Sequence, residues 1–97
     1  MATFVILLRW TDKGIEHVKE SPARFELFKE SVKKAGGKVE SFHMTLGAYD
    51  VVLVIDVPDD ETGANISLSL RSLGNVHVET LRAFQEDEYR KIIDSLQ

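Results

Sequence analysis

The chain contains no cysteine, which excludes disulfide cross-links, thiolate metal sites and a cysteine nucleophile. Proline occurs only at Pro22 and Pro58, and no stretch is rich in Gly, Ser or Pro, so neither a linker nor a low-complexity tract is expected. No basic block exceeds the pair Lys33-Lys34, and 12 Lys and Arg face 16 Asp and Glu for a formal net charge of −4. Such a balance repels phosphate backbones, so no nucleic acid partner is expected. The apolar run "TFVILLRW" lacks a basic leader, alternates into Arg9 and has no small-residue cleavage site after it, so it reads as a buried strand and not as a signal peptide. A cytoplasmic protein without a membrane partner is the expectation, and the Asn65-Ile66-Ser67 sequon is then a chance match.

What remains is the composition of one soluble domain: 97 residues, 43% hydrophobic and 29% charged. A chain of this size buries only about 60–65% of the surface its unfolded form exposes, so its core is small and help from a second subunit is reasonable.

Periodicity divides the chain into strands and helices. Thr3 to Trp10 is an apolar run ended by the helix-start pair Thr11-Asp12, which predicts a first strand. Ile15 and Val18 keep helical spacing up to Ser21-Pro22, where Ser21 is expected to cap a new helix; one kinked helix or two both fit. Phe25, Phe28, Val32 and Ala35 form one apolar face that Gly36-Gly37 ends. Lys38 to Leu46 predicts a second strand, with Phe42, Met44 and Leu46 on one side and Ser41, His43 and Thr45 on the other. Val51 to Val57, interrupted only by Asp56, predicts a third strand covered on both faces. After Pro58, the acidic Asp59, Asp60 and Glu61 suit a helix N-terminus, and Ile66, Leu70 and Leu73 give that helix its inward stripe before Gly74-Asn75. Val76 to Phe84 alternates as a fourth strand, and Tyr89, Ile92, Ile93 and Leu96 give a short amphipathic C-terminal helix.

The order β, α, β, β, α, β is that of the ferredoxin-like split βαβ unit, an α+β fold here extended by a C-terminal helix. Both helices of that unit lie on one face of an antiparallel sheet and leave the other bare. A bare face should be polar, yet Val5 and Leu7 oppose Phe4, Ile6 and Leu8, and the third strand is apolar on both sides. An apolar patch of that kind marks an interface or a groove, and the simplest cover is the same face of an identical subunit. The expectation is a face-to-face homodimer enclosing a pocket, with Arg9, Ser41, His43 and Thr45 around its apolar centre.

Each candidate for chemistry has a structural alternative. His43, on a partly apolar sheet face, suits a general base or a ligand, or else is an interface histidine with a satisfied ring. His17 falls on the solvent side of a helix and His77 starts an edge strand; no histidine pair has i, i+3 or i, i+4 spacing, so no metal site and no cofactor are expected. Asp59, Asp60 and Glu61 suit a hard cation less well than they suit the helix dipole. Tyr49 and Asp50 could be a proton donor and a base, or a turn in which Gly47 supplies the conformation and Asp50 bonds turn amides. Arg9 and Arg82 could clamp an anion or pair with carboxylates such as Glu79.

Trp10-Thr11-Asp12-x-Gly14-Ile15, Ser21-Pro22-x-Arg24, Gly36-Gly37-Lys38-Val39, Gly47-Ala48-Tyr49-Asp50, Gly74-Asn75-Val76 and Glu79-Thr80-Leu81-Arg82-Ala83-Phe84 together resemble the GYD-domain family over nearly the whole chain. The resemblance implies a dimeric α+β barrel made by two ferredoxin-like units that pair their sheets. It carries over no catalytic residue, because the family has no established activity. Proteins of similar fold include small heme-degrading or cofactor-free monooxygenases, isomerases, and the sensing domains of feast/famine regulators, whose similar Gly-x-Tyr-Asp hairpin lies near an effector site. The expected function is a dimeric small-ligand-binding or interaction module, its ligand site formed by Arg9, His43, Thr45, Tyr49 and Asp50 beside Val5 and Leu7. The alternative is a cofactor-independent monooxygenase or isomerase with His43 as base and Arg9 or Tyr49 stabilising an enolate.

Overall fold

A computed structural model describes all residues from Met1 to Gln97. Strand β1 (Ala2–Trp10) is followed by the short helix α1 (Asp12–Glu16), a 3-10 turn (Val18–Glu20) and α2 (Ser21–Lys34); β2 (Lys38–Met44), β3 (Val51–Val57), α3 (Asp60–Ser72), β4 (Val76–Ala83) and α4 (Glu86–Asp94) complete the chain. The four strands form one antiparallel sheet in the order β2-β3-β1-β4. This is the ferredoxin-like α+β arrangement, with α2 over β2 and α3 over β4 and β1.

The core lies between sheet and helices. Ile6, Leu53, Ile55, Val57 and Val32 are completely buried there, each contributing about 1.5–3 kcal/mol relative to exposure. Gly63 lets α3 approach the sheet: a Cβ at that position would lie 2.2 Å from Cε2 of Phe4. Asp59 caps α3, its carboxylate accepting from the Thr62 amide at 2.8 Å and the Thr62 hydroxyl at 2.7 Å. The hydroxyl bond first and the amide bond second hold the Asp59 carboxyl below its ordinary value.

Several details depart from the periodicity. Ser21 is already helical, with φ −61° and ψ −36°, and its side chain caps nothing, because the 3-10 turn feeds directly into α2. The second strand ends at Met44, leaving Leu46 in the following loop at 94% exposure. Glu40 sits in a β-bulge: Val39 faces Ile55 while Ser41 faces Val54, so the alternation is reset and Val39 joins Phe42 and Met44 on the helix side. Leu73, expected on the inward stripe of α3, is 59% exposed. Helix α4 has the reciprocal capping box Gln85–Glu88, yet Tyr89, Ile92, Ile93 and Leu96 are all exposed. No helix is long and apolar enough to cross a membrane.

Candidate functional site

The hairpin between β2 and β3 is tied to the end of β1. The Thr45 amide donates to the Asp50 carbonyl at 2.8 Å, and the Asp50 amide donates to the Leu8 carbonyl at 2.8 Å. The Asp50 carboxylate then accepts from the Trp10 amide at 2.9 Å, two residues past Leu8 on the same strand. The Thr45 hydroxyl donates to the Tyr49 carbonyl at 2.6 Å. Gly47 has φ +133°, which side chains rarely adopt, and that turn sends Tyr49 across the open face of the sheet.

Tyr49 reaches β4, where its hydroxyl donates to Glu79 Oε2 at 2.7 Å. The bond to Glu79 is the largest cause of a raised phenol pKa; desolvation and the Glu79 charge add to it, and the Arg9 charge opposes them. Arg9 faces His77 across the β1/β4 pair, and Leu7 faces Glu79. Leu7, Arg9, Tyr49, His77, Val78 and Glu79 line a niche of about 140 Å³. No carboxylate lies within salt-bridge distance of Arg9, so its guanidinium is available.

Of the residues singled out by the sequence, Arg9 and Tyr49 therefore come together. His43 does not join them: it faces Val52 on edge strand β2, with β3 between it and β1, roughly 10 Å from the Arg9 strand at ordinary strand spacing. Thr45 and Asp50 spend their polar atoms inside the hairpin and on β1. Arg82 is on the other side of the sheet, opposite Phe4 in the register. There it pairs with Asp60 at 2.9 Å and stacks its guanidinium 4.6 Å from the Phe84 ring, so its partner is Asp60 and not Glu79. Glu79, offered by the sequence only as an ion-pair partner for arginine, and His77, placed there only at the start of an edge strand, complete the niche; the signal for that role is the β4 alternation combined with the adjacency of β4 and β1.

Between and beside these groups the open face is apolar. Val5 faces Val54 and Leu81, and Leu7 faces Val52, making a half-buried patch flanked by Ser41 and His43 on one edge and Glu79 on the other. The larger cavity lies on the opposite, helix-covered side, about 670 Å³ between α2 and α3. No cluster of three or more His, Asp or Glu side chains is placed to hold a metal ion. Chemically, the niche sets the Arg9 guanidinium, which has no carboxylate partner, beside His77 and a phenol whose hydroxyl donates to Glu79, so Arg9 is the group free to meet an anion.

Residues 4–93 match the GYD domain. A protein of Thermus thermophilus, named glutamine synthetase and cystathionine beta-lyase binding protein, is 37% identical over 84 residues, which span 86% of this chain and 88% of that protein. A crystal structure of a Thermus thermophilus protein superposes with a TM-score of 0.56 at 24% identity, covering 88% of this chain and 95% of the other; it speaks to the fold alone. With its fold, its Gly47-Ala48-Tyr49-Asp50 hairpin and this match along most of its length, the chain belongs to the GYD-domain family.

Proposed function

We propose that this GYD-domain protein is a non-catalytic interaction module, a homodimer paired through the open faces of its sheets that docks onto metabolic enzymes. The observation that carries the reading is the uncovered patch of Val5, Leu7, Val52, Val54 and Leu81, too apolar for a face kept in water. Pairing two such faces by a two-fold axis covers both patches at once. The niche of Arg9, Tyr49 and Glu79 then lies at the rim of the pair, where it is suited to a carboxylate-bearing ligand or partner side chain. The choice of enzymes as partners is supported by the name of the Thermus thermophilus relative.

A catalytic role as a cofactor-independent monooxygenase or isomerase asks His43 to work with Arg9 or Tyr49. Their separation by β3 within one chain favours the non-catalytic reading.

Light scattering at micromolar concentration is expected to give an assembly of at least two chains, and Val54→Lys a folded species of half its mass. Surface-immobilised protein is expected to retain purified glutamine synthetase or cystathionine beta-lyase from the same organism, more weakly after Arg9→Ala. A wild-type chain that stays monomeric sinks the pairing; failure to retain either enzyme sinks the proposed partners.

A further inference from the structure

The helix-covered side of the sheet is incompletely filled. The 670 Å³ groove between α2 and α3 has Leu8 and Leu53 in its floor, Phe25, Phe28 and Leu70 in its walls, and Met44 and Leu73 at its mouth, 65% and 59% exposed. The same chain carries an apolar helix face with nothing on it, since Tyr89, Ile92, Ile93 and Leu96 follow at i, i+3, i+4 and i+7 along α4 and its end. A helix of nine residues is marginal in water on its own, so α4 gains most of its order from whatever it docks against.

That surface is not its own groove. The groove opens at the end of the sheet where Trp10 faces Val76, whereas α4 leaves from the opposite end, where Ala83 faces Thr3. Seven residues of β4 separate those ends by about 23 Å, and α4 is about 13 Å long. We infer that α4 of one copy lies in the α2/α3 groove of a second copy, the two copies exchanging their helices reciprocally.

Charge points to this occupant. Helix α2 carries Arg24, Lys29, Lys33 and Lys34 against Glu26 and Glu30, a net of two positive charges. Helix α4 carries Glu86, Asp87, Glu88 and Asp94 against Arg90 and Lys91, a net of two negative charges. At the groove itself Arg24 and Glu26 are in the lining and Lys29 lies 5.1 Å from the centre of the Phe25 ring, while α3 adds Arg71 against Asp60 and Glu61. The two walls together keep a single net positive charge against the acidic helix, in the helix-in-groove mode of recognition. Reciprocal exchange closes the assembly at two copies; one-way insertion would leave it open-ended. The inference is independent of pairing through the open sheet face, which lies on the other side of the molecule.

The absence of native cysteine makes the contact directly testable. Purified Ile92→Cys and Met44→Cys proteins, mixed and mildly oxidised, are expected to yield the mixed disulfide as the main product, confirmed by mass spectrometry of the linked peptides. A Lys19→Cys control in place of Met44→Cys should give little. Ile93→Asp added to the first protein should weaken the link about tenfold, by removing one buried anchor. The double variant Ile92→Cys, Met44→Cys should link between chains. A link no stronger than the control, or one closing within a single chain, overturns the exchange. Repeating the mixture with Val54→Lys in both proteins separates the two interfaces: a link that persists in chains unable to pair their sheet faces supports the exchange. Absence of the link between Ile92→Cys and Met44→Cys chains that keep Val54, while light scattering still reports their association, overturns the exchange and leaves the face pairing standing.

Discussion

Val54 and Ile55 are neighbours on β3 and share nearly the same side-chain chemistry, yet Ile55 is completely buried beneath the helices while Val54 is half-exposed on the open face. The contrast separates two uses of one apolar strand. Side chains beneath the helices hold the chain folded; those on the other face are surplus to that task and are the ones the proposed pairing would cover. Sequence hydrophobicity cannot distinguish them, because the period of a strand assigns faces without saying which face is covered.

The largest effect should therefore come from the helix side. Ile55→Ala leaves a cavity among Ile6, Leu53 and Val32 and should cost about 2–5 kcal/mol, with the melting temperature falling about 4–8 °C for each kcal/mol. Calorimetry should show this loss to be insensitive to protein concentration. Gly63→Ala follows, because its methyl would collide with the Phe4 ring and force α3 off the sheet, at about 1–3 kcal/mol. Val54→Ala should cost only about 0.8 kcal/mol in dilute protein, half the transfer value of the two carbons removed. Its penalty should grow with concentration, since association stabilises the folded chain by mass action. If Val54→Ala and Ile55→Ala lose equal stability in dilute protein, the two faces are not distinct.

The strand and helix order was readable because strands of period two and helices of period 3.6 alternate cleanly, and because Gly36 and Gly74 mark helix ends with positive φ. The α+β class follows from that order. What escaped depends on contacts distant in sequence. The bulge at Glu40 is decided by pairing with β3, and no local signal in Lys38–Met44 announces it. The identity of the rim niche depends on Tyr49 meeting Glu79, 30 positions away, once β4 is laid beside β1. Asp50 could be read either as a base or as a turn residue, and its bond to the Trp10 amide, 40 positions distant, makes it a strand latch. The width between α2 and α3 depends on side-chain packing across the layer, which periodicity does not encode.

The smallest effect sharpens the rim of the open face. The Tyr49 hydroxyl donates a hydrogen bond to Glu79, and that bond, followed by desolvation and the Glu79 charge, raises its pKa above the ordinary value of 10.0. A group whose folded pKa is raised favours folding in its protonated form. Its contribution is complete below pH 10.0 and disappears as pH rises through the folded value. In a Tyr89→Phe background, which leaves Tyr49 as the one remaining tyrosine, tyrosinate absorbance should have its midpoint above 10.0. Adding Glu79→Gln should lower that midpoint while leaving the fold intact, because the amide accepts the same bond without the charge. Arg9→Ala should raise the midpoint further, because the nearby guanidinium favours the phenolate. A midpoint unmoved by either substitution would separate Tyr49 from Glu79 and Arg9, and the niche would no longer hold together as a unit.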